Sequence, residues 1–492
     1  MEKTEFIIRD GVLVEYVGEG GNVIIPDSVH TIGASAFELV CGVTSVTLPQ
    51  GLNAVNRRAF ASCGDLEAIE IPPSVSFVGE YAFRDCHSLT RVTIGDGVEA
   101  IGDGAFENCC SLRSVCLPDT VESIGIGAFQ SCEALETVRL SASLKELKRY
   151  VFNGCRSLSE VVIPEGAVSI GDHCFGGLSD ALREITVPAS VEYIGCNAFR
   201  ECSSLARVTF MGGVKTVDNG AFRECVSLAE IVLPEGVENL GSDLFSGCKM
   251  LKNAVIPRSI KKIPCNCFAY CDSLSDFRIP ETVTDIGNGA FTCCYSLSEI
   301  TLPIGLKSIG QSAFNGCKGL KSVCIPTSVK NLGSYAFYEC PGLIRVAVSK
   351  ELRRSLGEEF YGRDIWYFLD RLQGKSEVEE TKPSIVLEGL DRQSLLIRIS
   401  NMDEEEFLSY FGNRKKPKKV KPPDVDLETD ITEWRRIVGD NLRECFMMAL
   451  DDVRFYRFAA EYGLFTADIA GEMLELTRSV ECRAYCFQAR RN

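Results

Sequence analysis

Phenylalanine stands at positions 37, 60, 83, 106, 129, 152 and 175, then at 199, 222, 245, 268, 291, 314, 337 and 360. Of the fourteen steps between them, thirteen are 23 residues and one is 24. A fixed period of this length leaves few folds open. One coil of the chain cannot bury its own apolar side, so successive coils stack and bury it for each other. The 24-residue step lies in CFGGLSDALREITVP, where the extra residue is expected to bulge from a surface turn without loss of register.

Other columns keep step with the Phe. Five residues before it every copy is aliphatic, from Ile32 and Val55 to Leu332, and Val29, Leu52, Val75, Val98 and Val121 begin a second aliphatic column eight before it. Four before it, Gly fills ten of fourteen copies, and Asn56 and Asp218 fill two of the rest. Those residue types tolerate left-handed backbone, so this column is expected to be a turn with positive φ. Lys148 and Pro264 do not suit such a turn, and the backbone must differ there.

Between successive Phe lies Leu-x-x-Val/Ile-x-Ile/Leu-Pro, as in Leu66–Pro72 and Leu297–Pro303. Alternating β-branched residues closed by proline predict a short strand, one per coil, and their stacking predicts a parallel sheet. Three residues after the Phe, twelve copies carry cysteine, from Cys63 and Cys86 to Cys317 and Cys340, which is half of the 24 in the chain. A free cysteine behaves as a small buried hydrophobe, so an internal ladder of thiols is expected.

Net charge is −16, which argues against a nucleic-acid-binding body. No run of eighteen apolar residues offers a membrane span, and MEKTEFIIRDGVLVEYVGEGG lacks the apolar stretch of a secretory leader. The expected location is therefore cytoplasmic, where disulfides between stacked rungs are disfavoured. Zinc needs clustered ligands, yet Cys109–Cys110, Cys265/Cys267 and Cys293–Cys294 have no second matched pair, and His30, His87 and His173 sit in different repeats. No metal site and no cofactor are expected. GEGG at 18–21 is followed by neither Lys-Ser/Thr nor a helix and predicts a turn. Three scattered histidines give no nucleophile a paired base, so no enzyme is expected.

The string IPETVTDIGNGAFTCCYSL, Ile279–Leu297, has the pattern IPxxVxxIGxxAFxxCxxL and resembles the BspA-like, or Treponema-type, leucine-rich repeats. The resemblance covers about 23–350, and residues 1–22 look like the N-terminal cap hairpin common in that family. It implies a leucine-rich-repeat-type parallel β solenoid of about 14 coils of 23 residues that binds proteins. Some members are surface adhesins for host matrix proteins, and this chain is expected to depart from them, since the sequence shows neither a leader nor an anchor pattern. The expected function is a non-enzymatic protein–protein interaction scaffold; the alternative is a surface adhesin after leaderless export.

Within each strand the Leu and the two aliphatics point inward, so the residues between them form an outer face. One outer column gathers acids in the middle and C-terminal coils. Glu160, Glu184, Glu230, Asp276 and Glu299, with Arg207 among them, are the candidate partner-binding residues. Beside them runs a stripe of Thr and Val that includes Val162, Thr186, Thr209, Val232 and Val255.

The repeat decays after Val348. Residues 351–411 are expected to form a C-terminal cap and a mixed α/β segment, with Trp366, Phe368 and Leu369 sealing the last coil. A basic, Pro-rich linker follows at 412–427; its run Arg414–Lys421 reads as a linker or as a targeting signal. The helical period of Leu442, Phe446, Ala449, Val453 and Tyr456 then predicts a small, mainly α-helical hairpin domain at 428–492.

Overall fold

The computed structural model describes residues 5–179, 181–326, 328–343 and 345–347. The expected segments 351–411, 412–427 with Arg414–Lys421, and 428–492 lie outside them. Two compact units divide the chain. Among the described residues, one unit contains the coils, through 323 and over 328–343, and the other includes 324–326 and a strand at Arg345–Ala347.

The first unit is a parallel β solenoid of fourteen coils, opened by an antiparallel hairpin of β1 (Phe6–Arg9) and β2 (Val12–Tyr16). Asp10 and Gly11 make the hairpin turn with φ of 49° and 76°, a geometry that the Asp-Gly pair adopts readily. The second hairpin strand then pairs in parallel with Thr31–Ile32, the first short strand of the stack. Tyr16 lies on Phe37 at a centroid distance of 4.8 Å, so the hairpin covers the first coil with an aromatic ring.

Each coil has three sides. A long strand such as Ala68–Ile71 or Arg91–Ile94 alternates buried and exposed residues and pairs in register with its neighbours. A two-residue strand such as Phe77–Val78 or Ala100–Ile101 carries the aliphatic residue five before the Phe. Between them a turn carries the Phe itself. The fourteen described Phe of the column are buried, and successive rings stack at 4.7 to 5.9 Å within 21° of parallel, from Phe37 to Phe337. Offset stacking at such distances is the favoured arrangement for aromatic pairs.

The turn is bound to the next coil through its backbone. In each of the first thirteen coils, the N–H groups two before the Phe, at the Phe, and two after it donate to carbonyls of the next coil. Ser35, Phe37 and Leu39 reach Arg57, Ala59 and Ala61 at 3.0, 2.7 and 2.9 Å, and Ser312, Phe314 and Gly316 reach Ser334, Ala336 and Tyr338 at 2.9, 2.7 and 2.8 Å. Positive φ makes this possible, and it occurs two before and two after the Phe in every coil.

Here the glycine column departs from expectation. None of its ten glycines has positive φ, nor do Asn56 or Asp218. These glycines serve close approach instead. A Cβ on Gly79, Gly102 or Gly125 would stand 2.4, 2.6 or 2.3 Å from backbone atoms of the preceding coil. In that column the N–H also donates to the aliphatic residue one coil back, as Gly79 does to Val55 at 2.8 Å. Lys148 forms no such bond among the described residues, and Pro264 has no N–H to give. The short-strand ladder breaks at these two coils, between Ser123–Ile124 and Glu146–Leu147 and between Asn239–Leu240 and Lys262–Ile263.

The cysteines do more than fill space. Each of the twelve thiols is buried and donates to the carbonyl oxygen of the Phe one coil back at 3.1 or 3.2 Å, as Cys63 does to Phe37 and Cys340 to Phe314. That oxygen also accepts an N–H within its own turn, for example from Cys63 to Phe60 at 3.2 Å. Burial pushes the thiols of Cys63 and Cys248 up to about 12 and that of Cys340 to about 11. All twelve are free.

Candidate interaction face

The outer face of the long strands follows from their period of two. In Glu184–Val187 the second and fourth residues are buried and the first and third exposed, and Glu230–Val232 repeats the pattern. The first outward position is therefore the acidic column. Glu160, Glu184, Arg207, Glu230 and Glu299 are all exposed there, and Asp276 opens the strand Asp276–Phe277 in the same column.

The column is not continuous. Parallel pairing sets Glu184 beside Arg207, and Glu230 beside Asn253, which adjoins Asp276. Glu160 pairs with Thr137 but not with Glu184, because the long-strand ladder stops at the 24-residue step. The short strands run through that step in register, Ser169 against Tyr193 and Ile170 against Ile194. The extra residue thus disturbs one side of the coil and spares another. A second gap separates Arg207 from Glu230.

The second outward position holds exposed β-branched residues. Val162, Val232 and Val255 are 72%, 57% and 43% exposed, and Thr186 and Thr209 stand between them. Strand geometry places them two residues on from the acids, with their side chains on the same side of the sheet. Earlier in this column Arg139 is engaged. It holds Asp119 through two contacts of 3.1 and 2.9 Å and the Leu117 carbonyl at 2.7 Å, and Asp119 falls below its usual range, first through the Ala142 N–H and then through Arg139.

Some charges elsewhere on the solenoid are paired. Arg57 pairs with Glu80, Arg84 with Glu107, Arg113 with Glu136 and Lys215 with Glu192. Glu160, Glu184, Glu230 and Glu299 make no ion pair or side-chain hydrogen bond among the described residues, and neither does Arg207. Among those residues there is also no group of three or more His, Cys, Asp or Glu placed to hold a metal, and no helix long and apolar enough to cross a membrane.

The profile described as the BspA type leucine rich repeat region (6 copies) matches residues 19–136, 122–252, 170–296 and 243–365. Among solved structures, a leucine-rich repeat protein from Bacteroides ovatus ATCC 8483 is similar at 28% identity and a TM-score of 0.63, over 74% of this chain and 96% of that one. A leucine rich cell surface protein from Faecalibacterium prausnitzii A2-165 shares 24% identity at a TM-score of 0.44, over 74% of this chain and 97% of that one. No curated protein matches. With the profile spanning the coils from the hairpin to beyond the last described turn, and the same columns repeated in each, the chain belongs to the BspA-type leucine-rich repeat family.

Proposed function

We propose that this protein is a non-enzymatic interaction scaffold whose long-strand face docks a protein partner bearing basic side chains around an apolar patch. The carrying observation is the register of exposed acids on one sheet face: Glu160, Glu184, Glu230 and Glu299 share the first outward column and make no ion pair among the described residues. Beside them the exposed Val162, Val232 and Val255 offer apolar area for burial. Basic groups on a partner would be steered to the acids and the valines covered on contact. Asp276 belongs to the same docking column by register, and Arg207 fixes orientation through one opposite charge.

A reducing compartment, and thus the cytoplasm, suits this reading, since the twelve stacked thiols serve as hydrogen-bond donors only while reduced. Replacing Glu184, Glu230 and Glu299 together by Lys tests the face. Affinity capture from the native cell should lose its specific partner with that variant and retain it when Glu122, Glu165 and Glu281, exposed acids off the strand face, are reversed instead. Equal recovery with both variants ends the proposal.

A further inference from the structure

The 24-residue coil also leaves an opening in the turn side of the solenoid. In most coils, side chains one and two residues after the Phe line this surface; in this coil both positions are glycine, Gly176 and Gly177. Their backbone forms the floor of a cleft of about 390 Å³. Gly177 has a φ of +73°, and Gly176 bears on the Asn153 amide, which donates to its carbonyl at 3.2 Å. The coil before contributes Arg156 to the rim and the coil after contributes Arg200, Glu201 and Ser203.

We infer that this cleft binds a small oxyanion, a carboxylate or a phosphate group. The lining is rich in donors. Arg200 gives one terminal nitrogen to Glu201 at 2.7 Å, but its Nε is buried and has no hydrogen-bond partner. A buried guanidinium N–H left unpaired is costly, and an anion's oxygen would satisfy it. Arg156 is exposed and makes no ion pair among the described residues. The Asn197 amide donates to Nε2 of His173 at 3.3 Å, which leaves the Nδ1 proton as a further donor. Burial, and then the Arg200 charge, holds His173 below its usual range, so the ring stays neutral. Among the described lining residues the one carboxylate, Glu201, is spent on Arg200, and Arg156 makes no ion pair.

Arg84 supplies an internal comparison. It occupies the same position after its Phe as Arg200, and its Nε is likewise buried and unpartnered. Asp85 and Glu107 both approach it at 3.4 Å, however, and acids on two sides repel an anion. The 24-residue coil thus differs by having the glycine floor and the second arginine. That step and its paired glycines were the available sequence signal.

The test titrates the full-length protein with inorganic phosphate and, separately, with succinate, following the arginine Nε–H resonances by NMR. A saturable shift of the Arg200 resonance, assigned through Arg200→Lys, is expected with at least one of the two ions; which of them acts tells phosphate from carboxylate. Arg156→Gln, at an exposed site that folding does not depend on, should weaken that binding about tenfold, the effect of losing one charge-assisted contact. Arg84→Lys should leave it unchanged. No saturable shift with either ion, or the same loss in Arg84→Lys as in Arg156→Gln, overturns the inference.

Discussion

The Phe turn and the long strand are two sides of the same coils, yet they differ in regularity. The strand ladder is interrupted at the 24-residue step and again between Arg207 and Glu230. The turn, which is neither helix nor strand, keeps three inter-coil hydrogen bonds at every step from Ser35 to Gly316. It does so at a cost, since left-handed backbone disfavours every side chain larger than hydrogen by roughly 1–2 kcal/mol. Tyr81, Tyr150, Glu201 and Tyr270 nevertheless adopt it. The difference teaches that continuity here comes from the buried aromatic and thiol columns. The sheet is held in place by them and tolerates gaps.

Alkaline titration should break the turn side first and hardest. In the folded protein burial raises the thiols of Cys63, Cys248 and Cys340 to about 11 or 12, while in the unfolded chain they ionise near their ordinary value of 9. A folded pKa above the unfolded one gives stability that is complete below pH 9 and lost above it. Each such thiol should cost about 1.4 kcal/mol per pH unit up to its folded pKa. Denaturant midpoints measured from pH 8 to 11 should therefore fall steeply, and a flat profile would refute the neutral ladder. Next in size is Phe199→Ala, which opens the aromatic column at a ring stacked 5.3 Å from each neighbour. It should cost about 3–5 kcal/mol in equilibrium unfolding. Val208→Ala on the strand side removes only two carbons and should cost about 2 kcal/mol or less. Equal costs would erase the contrast. The smallest effect is a repair. Pro264→Gly restores an N–H facing the carbonyl of Leu240 in the preceding coil and should give one newly protected amide in hydrogen exchange. Its net stability change should stay within about 1 kcal/mol, because the gained hydrogen bond is offset by the freer unfolded chain.

The coil count, the buried columns and the outward acids were legible because burial imposes a strict period on residue type. Phe, Ile and Cys recur where space is fixed. Glycine was legible as a requirement, but its cause was not: close approach between backbones and positive φ both select Gly. The positions that do have positive φ hold Ser, Arg, Tyr, His, Asn and Asp as well as Gly, so composition gave no sign of them. Hydrogen bonding to the next coil enforces that backbone whatever the side chain. Lys148 and Pro264 stood out in the sequence, and the structure gives their meaning as the two interruptions of the short strands. For the outward column, exposure followed from alternation, whereas the gaps beside Glu160 and Glu230 depend on inter-strand pairing that no single coil encodes.

The turn donors all point one way along the chain, from each coil to the one after it. The stack consequently has polarity, like a zip with teeth on one side and sockets on the other. Its opening end offers carbonyl oxygens, one of which, on Ala36, is already taken by the N–H of Tyr16 at 2.9 Å. Any further coil, from this chain or another, could continue the series head to tail but never head to head.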